Sequence, residues 1–429
     1  MTFKHKFNKI IVALITVVLL ILPVAPASAA TQVSSDYHAD QLQLNVKSAI
    51  AIDSKTGQLL YGKNINQPLP IASMTKLITV YLTLTAIKEG KLTWQTKVKP
   101  TDAIIRVANN KDFSNVPLHV GHEYSIKQLY QATLIESANG AAMLLAQAVS
   151  GAQQPFVRQM RKQLTKWGIT DAQIYTTCGL PNKNVGADAY PGASSDAENK
   201  LSAKDMAIVG QHLLADFPQV IKTTKIAHLA FVDQTTKTPM ANFNWMLKGL
   251  SQYNPQLKVD GLKTGTTDAA GACFIATTKY NGARIITVVM GAEHRDGTDP
   301  SRFVQTKKLL SYLYHNYRPI IFNKNEVITG LTSMKVHNGK ARQVNIGMKE
   351  NSEIWAPLTG SKLHVELADN QVEAPVTAGQ TVTDYKFKAG SEQLISLTNP
   401  AGMRLPAKSF QTTTRVNFLV RFWRWLFGG

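Results

Sequence analysis

Cysteine is almost missing from this chain: only Cys178 and Cys273 occur among 429 residues. That excludes a scaffold stapled by disulfides, and no Cys/His grouping with metal-type spacing accompanies the pair. The sequence leaves open one bridge or two small buried thiols, with buried and unpaired the expectation. Acidic side chains are scarce as well, 28 Asp and Glu against 47 Lys and Arg, for a formal net charge of +19. The apolar run at the amino terminus, Ile10 to Leu22, is about thirteen residues long, short of the ~20 that span a bilayer. Internal repeats and low-complexity tracts are missing, which excludes solenoids and disordered tethers. No aromatic-rich basic motif is present either, so the charge does not point to nucleic acid.

What is present begins with an export signal over residues 1–30. Lys4, Lys6 and Lys9 precede the apolar run, and Ala27-Ser28-Ala29-Ala30 follows it as a small-residue cleavage site. Cleavage after Ala29 or Ala30 leaves about four hundred residues, enough for two or three domains. Without the three lysines the net charge falls to about +16, which suits anionic lipids and acidic wall polymers outside the cytoplasm.

Ser48-Ala49-Ile50-Ala51-Ile52-Asp53 and Gln58-Leu59-Leu60-Tyr61 flank Thr56-Gly57 and predict a β-hairpin. Helical periodicity follows over Thr75 to Ile87, closed by Gly90, then over Ile126 to Val149 and Phe156 to Trp167. Ser202-Ala203-Lys204-Asp205 reads as a capping box for a helix through Leu214. Strands return at Cys273 to Thr277 and Arg284 to Met290 around the turn dipeptide Asn281-Gly282, and a helix spans Ser301 to Tyr317. The order predicts an α/β (α+β) domain over 40–319, its largely antiparallel sheet built from both ends of the segment around a helical subdomain. Short alternating runs such as Leu363 to Leu367 then predict a small all-β domain over 320–410, and residues 412–429 form a separate terminal segment.

Three short motifs carry chemistry. Ser73-Met74-Thr75-Lys76 opens an apolar helix, and residues three apart share a helix face, so the Ser73 hydroxyl and the Lys76 amine can meet as nucleophile and base. Ser137-Ala138-Asn139 sits among apolar helical residues; a second serine can relay a proton to a leaving amine, and an asparagine amide can hold both Lys76 and a substrate carbonyl. Lys263-Thr264-Gly265-Thr266 opens a strand, where Lys263 supplies a cation, Thr264 and Thr266 supply hydroxyls for a carboxylate, and Gly265 allows a peptide backbone to approach the strand edge. Ser137 follows Ser73 by about sixty residues and Lys263 follows by about one hundred and twenty-five more. This order is the signature of the penicillin-recognising serine acyltransferases and β-lactamases.

The chain resembles, more closely, the low-molecular-mass penicillin-binding proteins of the serine-type D-alanyl-D-alanine carboxypeptidase family. The resemblance is carried by Ile50 to Gly57, Pro70 to Leu77, Asp260 to Gly265 and Met290-Gly291-Ala292. It implies a serine β-lactamase/penicillin-binding-protein-like peptidase domain, a trailing β-domain and a terminal amphipathic anchor. Ser73 is then the nucleophile, Lys76 the base, and Ser137, Asn139 and Lys263 the other catalytic groups. Backbone N–H groups of Ser73 and Thr266 would form the oxyanion hole. The implied substrate is a peptidoglycan stem peptide ending in D-Ala-D-Ala; β-lactams are implied acylating agents, and no cofactor or metal is implied. Ala138, Cys178 and Phe243 depart from residues common in the family, namely glycine, histidine and arginine. The last two put local substrate contacts in question. Two alternatives are a class A-like β-lactamase, whose deacylating glutamate Glu198 does not supply at the right spacing, and a non-catalytic wall-binding protein.

The tail, Arg415 to Phe427, predicts an amphipathic helix lying on an anionic membrane surface. At about 100° per residue, Asn417, Arg421 and Arg424 share one sector while Phe418, Leu419, Phe422, Trp423, Trp425 and Leu426 cover the other. The expected location is therefore the extracytoplasmic face of the cell membrane, held peripherally.

Overall fold

Strand β1 (Ser48–Asp53) is paired antiparallel with β2 (Leu59–Lys63) through a turn at Gly57, as the apolar runs predict. The structure, a computed structural model, describes residues 33–358 and 362–427; the export signal expected over residues 1–30 lies outside them. Asp53 locks the turn, its Oδ1 accepting the Lys55 and Thr56 N–H groups at 3.0 and 2.7 Å and the Thr56 hydroxyl at 2.7 Å.

Helix α1 (Lys76–Lys88) continues a 3₁₀ turn at Ala72–Thr75 and ends ahead of Gly90, whose φ of +74° suits a C-cap. The single helical stretch expected from Ile126 onward is two helices, α2 (Ile126–Ile135) and α3 (Asn139–Ser150). Ser137 stands between them at φ 58°, outside helical space, while the apolar stripe resumes on the far side and hides the break from periodicity. Helix α4 (Gln153–Lys166) follows, and α5 (Ala203–Asp216) opens on the expected capping box, with Ser202 and Asp205 exchanging hydrogen bonds. A hairpin of β3 (His228–Asp233) and β4 (Thr236–Ala241) comes next. Sequence patterning did not signal it, because most of its residues face solvent.

Strands β5 (Gly261–Thr267), β6 (Gly271–Tyr280) and β7 (Ala283–Ala292) run antiparallel in succession, ahead of helix α6 (Ser301–Asn316). The sheet order is β2-β1-β7-β6-β5, so the amino-terminal hairpin completes a sheet made by strands more than two hundred residues later. Alternation along β1 divides its side chains: Ile50 and Ile52 face α1 and α5 with Leu77, Met206 and Val209, while Ala49 and Ala51 face α6 with Phe303, Leu309 and Leu313. Both faces are covered, which is why β1, β6 and β7 read as nearly unbroken apolar runs. Strand β5 is left at the edge.

Beyond α6 the chain is β-rich. Strand β8 (Tyr317–Phe322) crosses the expected boundary at residue 320. In chain order β9 (Gln343–Met348), β10 (Ser352–Pro357), β11 (Thr381–Ala389) and β12 (Arg404–Ser409) follow; β10 pairs with β8, and β12 lies between β9 and β11 in a seven-stranded sheet. Trp355 of β10 is fully buried in the same apolar cluster as Phe303, and its Nε1 donates to Asp53 Oδ2 at 2.9 Å. The last helix, α7 (Phe418–Phe427), starts later than the expected Arg415, because Arg415 is held in extended backbone, its Nε donating to Ala374 O at 2.9 Å. No helix among the described residues is long and apolar enough to cross a membrane. Cys178 and Cys273 are both buried and free, as expected.

Candidate active site

The three motifs converge on one cleft of about 360 Å³, lined by Ser73, Ser137, Thr264, Gly265, Thr266, Arg302 and an apolar wall of Phe243, Trp245 and Phe303. Ser73 is half-buried in the 3₁₀ turn that leads into α1. Lys76, one turn on and fully buried, directs Nζ at three oxygens: Ser73 Oγ at 2.7 Å, Asn139 Oδ1 at 2.8 Å and the carbonyl of Cys178 at 2.7 Å. Burial lowers the Lys76 pKa from 10.5 to about 8. Once neutral, the amine keeps two N–H groups and gains a lone pair. Asn139 Oδ1 and the Cys178 carbonyl can only accept, so they take the two hydrogens, and the lone pair is left for the Ser73 hydroxyl proton.

Asn139 stands at the start of α3 and is itself held, its Nδ2 donating to Ser114 O at 3.0 Å. Ser137 reaches the cleft but not the Lys76 network. Its φ of 58° turns the chain so that Ser137 lines the cleft while Asn139, at the start of the next helix, meets Lys76. The departure at Cys178 is harmless to the network, because the contact to Lys76 comes from the backbone carbonyl. Gly179 beside it is required: a Cβ there would fall 2.0 Å from Ala72 O.

Lys263 points inward from β5, only 2 % exposed, and its Nζ donates to Thr264 O at 3.1 Å. Burial, then repulsion from Lys76 and Arg302, pushes its pKa well below the ordinary range, with Glu136 pulling the other way. Gly265 is also required by the protein's own packing. A Cβ on it would lie 2.7 Å from Ile71 O and 3.2 Å from the amide nitrogens of Ser73 and Met74, so the protein's own turn at Ser73 needs the space. The result is that the Ser73 N–H and the open edge of β5 sit side by side.

Arg302 escaped sequence reasoning. It is buried near the amino end of α6; one guanidinium nitrogen donates to Gly265 O at 2.9 Å and Cys273 O at 3.2 Å, the other to Thr266 Oγ1 at 2.6 Å. Burial lowers it to about 10. A cation in a helix's first turn opposes the helix dipole, and that was the available signal. Glu198 lies in a loop, as its sequence position suggests, and is buried there, its Oε2 accepting the Thr267 hydroxyl at 2.7 Å and steadying the end of β5. In Asn242-Phe243-Asn244 the two amides bind backbone, Asn242 donating to Thr224 O at 3.1 Å and Ile226 O at 2.9 Å, and Phe243 between them faces the cleft.

Residues 34–294 match the family model described as D-alanyl-D-alanine carboxypeptidase. The chain belongs to this family. The D-alanyl-D-alanine carboxypeptidase DacF of Bacillus subtilis (strain 168) is 28% identical over 382 residues, covering 88% of this chain and 89% of the relative. Among solved structures, a peptidoglycan synthesis regulatory factor (PBP3) from Streptococcus pneumoniae superposes with a TM-score of 0.72 at 34% identity, over 86% of this chain and all of that one. Penicillin-binding protein D2 from Listeria monocytogenes, in its cefotaxime-bound form, gives 0.51 at 28% identity over 63% and 97% of the two chains. As a member of the family this chain is a serine-type D-alanyl-D-alanine carboxypeptidase acting on peptidoglycan, with the fold of the penicillin-binding proteins.

Proposed function

We propose that the cleft removes the terminal D-alanine of a peptidoglycan stem pentapeptide through an acyl-enzyme on Ser73. The observation that carries this is the contact of the Lys76 amine with Ser73 Oγ at 2.7 Å, made by an amine whose other two partners can only accept hydrogens. Neutral Lys76 takes the hydroxyl proton as Oγ attacks the carbonyl carbon of the penultimate residue. The oxyanion is met by the N–H groups of Ser73 and Thr266. The C–N bond then breaks, the departing D-alanine nitrogen receives a proton by way of Ser137, and water hydrolyses the ester to free Ser73. Asn139 holds Lys76 in place. The substrate's terminal carboxylate is received by the Thr264 and Thr266 hydroxyls in the field of Lys263 and Arg302, and its backbone lies along the open edge of β5, as an added strand. A β-lactam enters by the same attack, but its leaving nitrogen stays tethered and blocks the water.

Incubation with a pentapeptide ending in D-Ala-D-Ala, with free D-alanine measured, tests the reading. Wild type should release it; Ser73→Ala should neither release it nor take up a penicillin while keeping the fold. Labelling that persists in Ser73→Ala overturns the assignment.

The proposed place of action is the outer face of a membrane, reached after export and held by α7. Support comes from the side chains: Phe418, Leu419, Trp423 and Trp425 are 64–77 % exposed, whereas Arg424 turns back to donate to Gly339 O at 3.0 Å. An unpartnered aromatic face of this kind fits an interfacial helix. Deleting residues 417–429 should move active enzyme from anionic vesicles to the soluble fraction, and continued sedimentation with the vesicles overturns the anchor.

A further inference from the structure

Away from the cleft, two histidines and a carboxylate meet at a place the reaction does not use. His119 and His122 stand on the loop ahead of α2, and Asp233 closes β3 at the tip of the β3–β4 hairpin. His119 Nδ1 lies 2.8 Å from Asp233 Oδ2, and His122 Nδ1 lies 2.9 Å from both carboxylate oxygens. One ligating atom from each residue falls within 4.8 Å of the other two. The Tyr124 hydroxyl donates to Asp233 Oδ2 at 2.9 Å and fixes the carboxylate from behind. The Asp233 carboxylate therefore gathers contacts from His119, His122 and Tyr124 at one point.

We propose that His119, His122 and Asp233 form a binding site for a divalent transition ion of the zinc type. Two imidazoles and one carboxylate are a donor set suited to zinc, copper or nickel and ill suited to calcium or magnesium, which require mostly oxygen. Around a tetrahedral ion with bonds of about 2.0–2.1 Å, donor atoms sit roughly 3.3 Å apart, so each N···O contact opens by only about half an ångström. Without an ion, each ring reaches the carboxylate by donating from Nδ1. With one, the proton shifts to Nε2 and Nδ1 offers its lone pair. His122 Nε2 already lies 3.2 Å from the side-chain amide of Gln234, which, turned over, presents its oxygen to that N–H. His119 and His122 side chains are 49 % and 29 % exposed, so an ion and a water in the fourth position can enter from solvent.

The site would clamp the hairpin to the helical lobe. That hairpin leads directly into Asn242 to Trp245 of the cleft wall, and its Ala241 N–H already donates to Glu136 Oε2 at 2.9 Å. The ion's role is therefore structural, bracing a wall of the cleft while taking no part in the chemistry.

The test is calorimetric titration of chelator-stripped full-length enzyme with zinc chloride. His119→Ala and His122→Ala are compared with wild type and with His364→Ala, an exposed histidine on the β-rich part, and penicillin labelling verifies that each variant is folded. Wild type and His364→Ala should bind one zinc per chain, and each of the other two should lose at least about tenfold in affinity. Zinc should raise the melting temperature of wild type only with these residues intact. In unaltered wild type, zinc should also shield His119 and His122 from diethyl pyrocarbonate, which locates the ion even if a variant fails to fold. Uptake of no stoichiometric zinc, equal affinity in His119→Ala and His122→Ala, or unshielded histidines would each overturn the proposal.

Discussion

Raising the pH from 6 to 9 should speed acylation of the free enzyme, with a midpoint near 8. On the proposed mechanism Lys76 accepts the Ser73 proton only when neutral, and burial brings its pKa to about 8. At pH 7 such an amine is about 9 % neutral, against about 0.03 % for an ordinary lysine, a gain of roughly 300-fold in available base. The neutral fraction climbs from about 1 % at pH 6 to about 90 % at pH 9, so the second-order rate constant should rise roughly 90-fold and level above about pH 8.5. Loss of the Lys76 proton also removes its repulsion on Lys263. Stopped-flow acylation by a fluorescent penicillin at fixed ionic strength measures the profile. A rate constant flat across this range, or one rising only toward pH 10.5, refutes Lys76 as the base. Stability carries the same signature. Because the folded pKa is the lower one, the unfolded chain binds the extra proton between about 8 and 10.5. The resulting destabilisation of about 3 kcal/mol is complete below pH 8 and fades as the pH rises to 10.5.

Three substitutions probe the rest of the reasoning. Gly265→Ala should cut acylation about 100-fold with a smaller change in melting temperature, since the added methyl meets backbone at Ile71 and Ser73 and displaces the nucleophile turn; wild-type acylation would show that the turn yields freely. Arg302→Lys keeps the charge but cannot reach Gly265, Cys273 and Thr266 together, so KM for the peptide should rise about tenfold with kcat less affected; an unchanged KM removes Arg302 from substrate positioning. Trp355→Phe deprives Asp53 Oδ2 of its indole donor and should cost about 1.5–3 kcal/mol in a denaturation experiment, with activity per folded molecule preserved. Equal stability would mean the link between Trp355 and the β1–β2 turn is unimportant.

Much of this protein is determined locally and could be read without coordinates. Short apolar runs bounded by turn residues fix β1, β2, β6 and β7, Asn281-Gly282 fixes the hairpin between β6 and β7, and Ser202 with Asp205 fixes the start of α5, because each depends on neighbours only a few residues away. Ser73, Lys76, Ser137, Asn139 and Lys263 could be singled out because a serine hydrolase of this kind needs those groups in short motifs. Tertiary structure decided what contacts across long separations decide. It showed that Gly265 makes room for the Ser73 turn, that Arg302 braces β5 from α6, and that the Cys178 carbonyl completes the Lys76 shell from 102 residues away. His119 and His122 are close in sequence and unremarked there. Asp233 joins them only when a solvent-facing hairpin folds back 114 residues later, and no local pattern encodes that meeting. The pKa values follow the same division: a lysine's identity is written in the chain, but the burial that lowers the Lys76 pKa exists only in the folded protein.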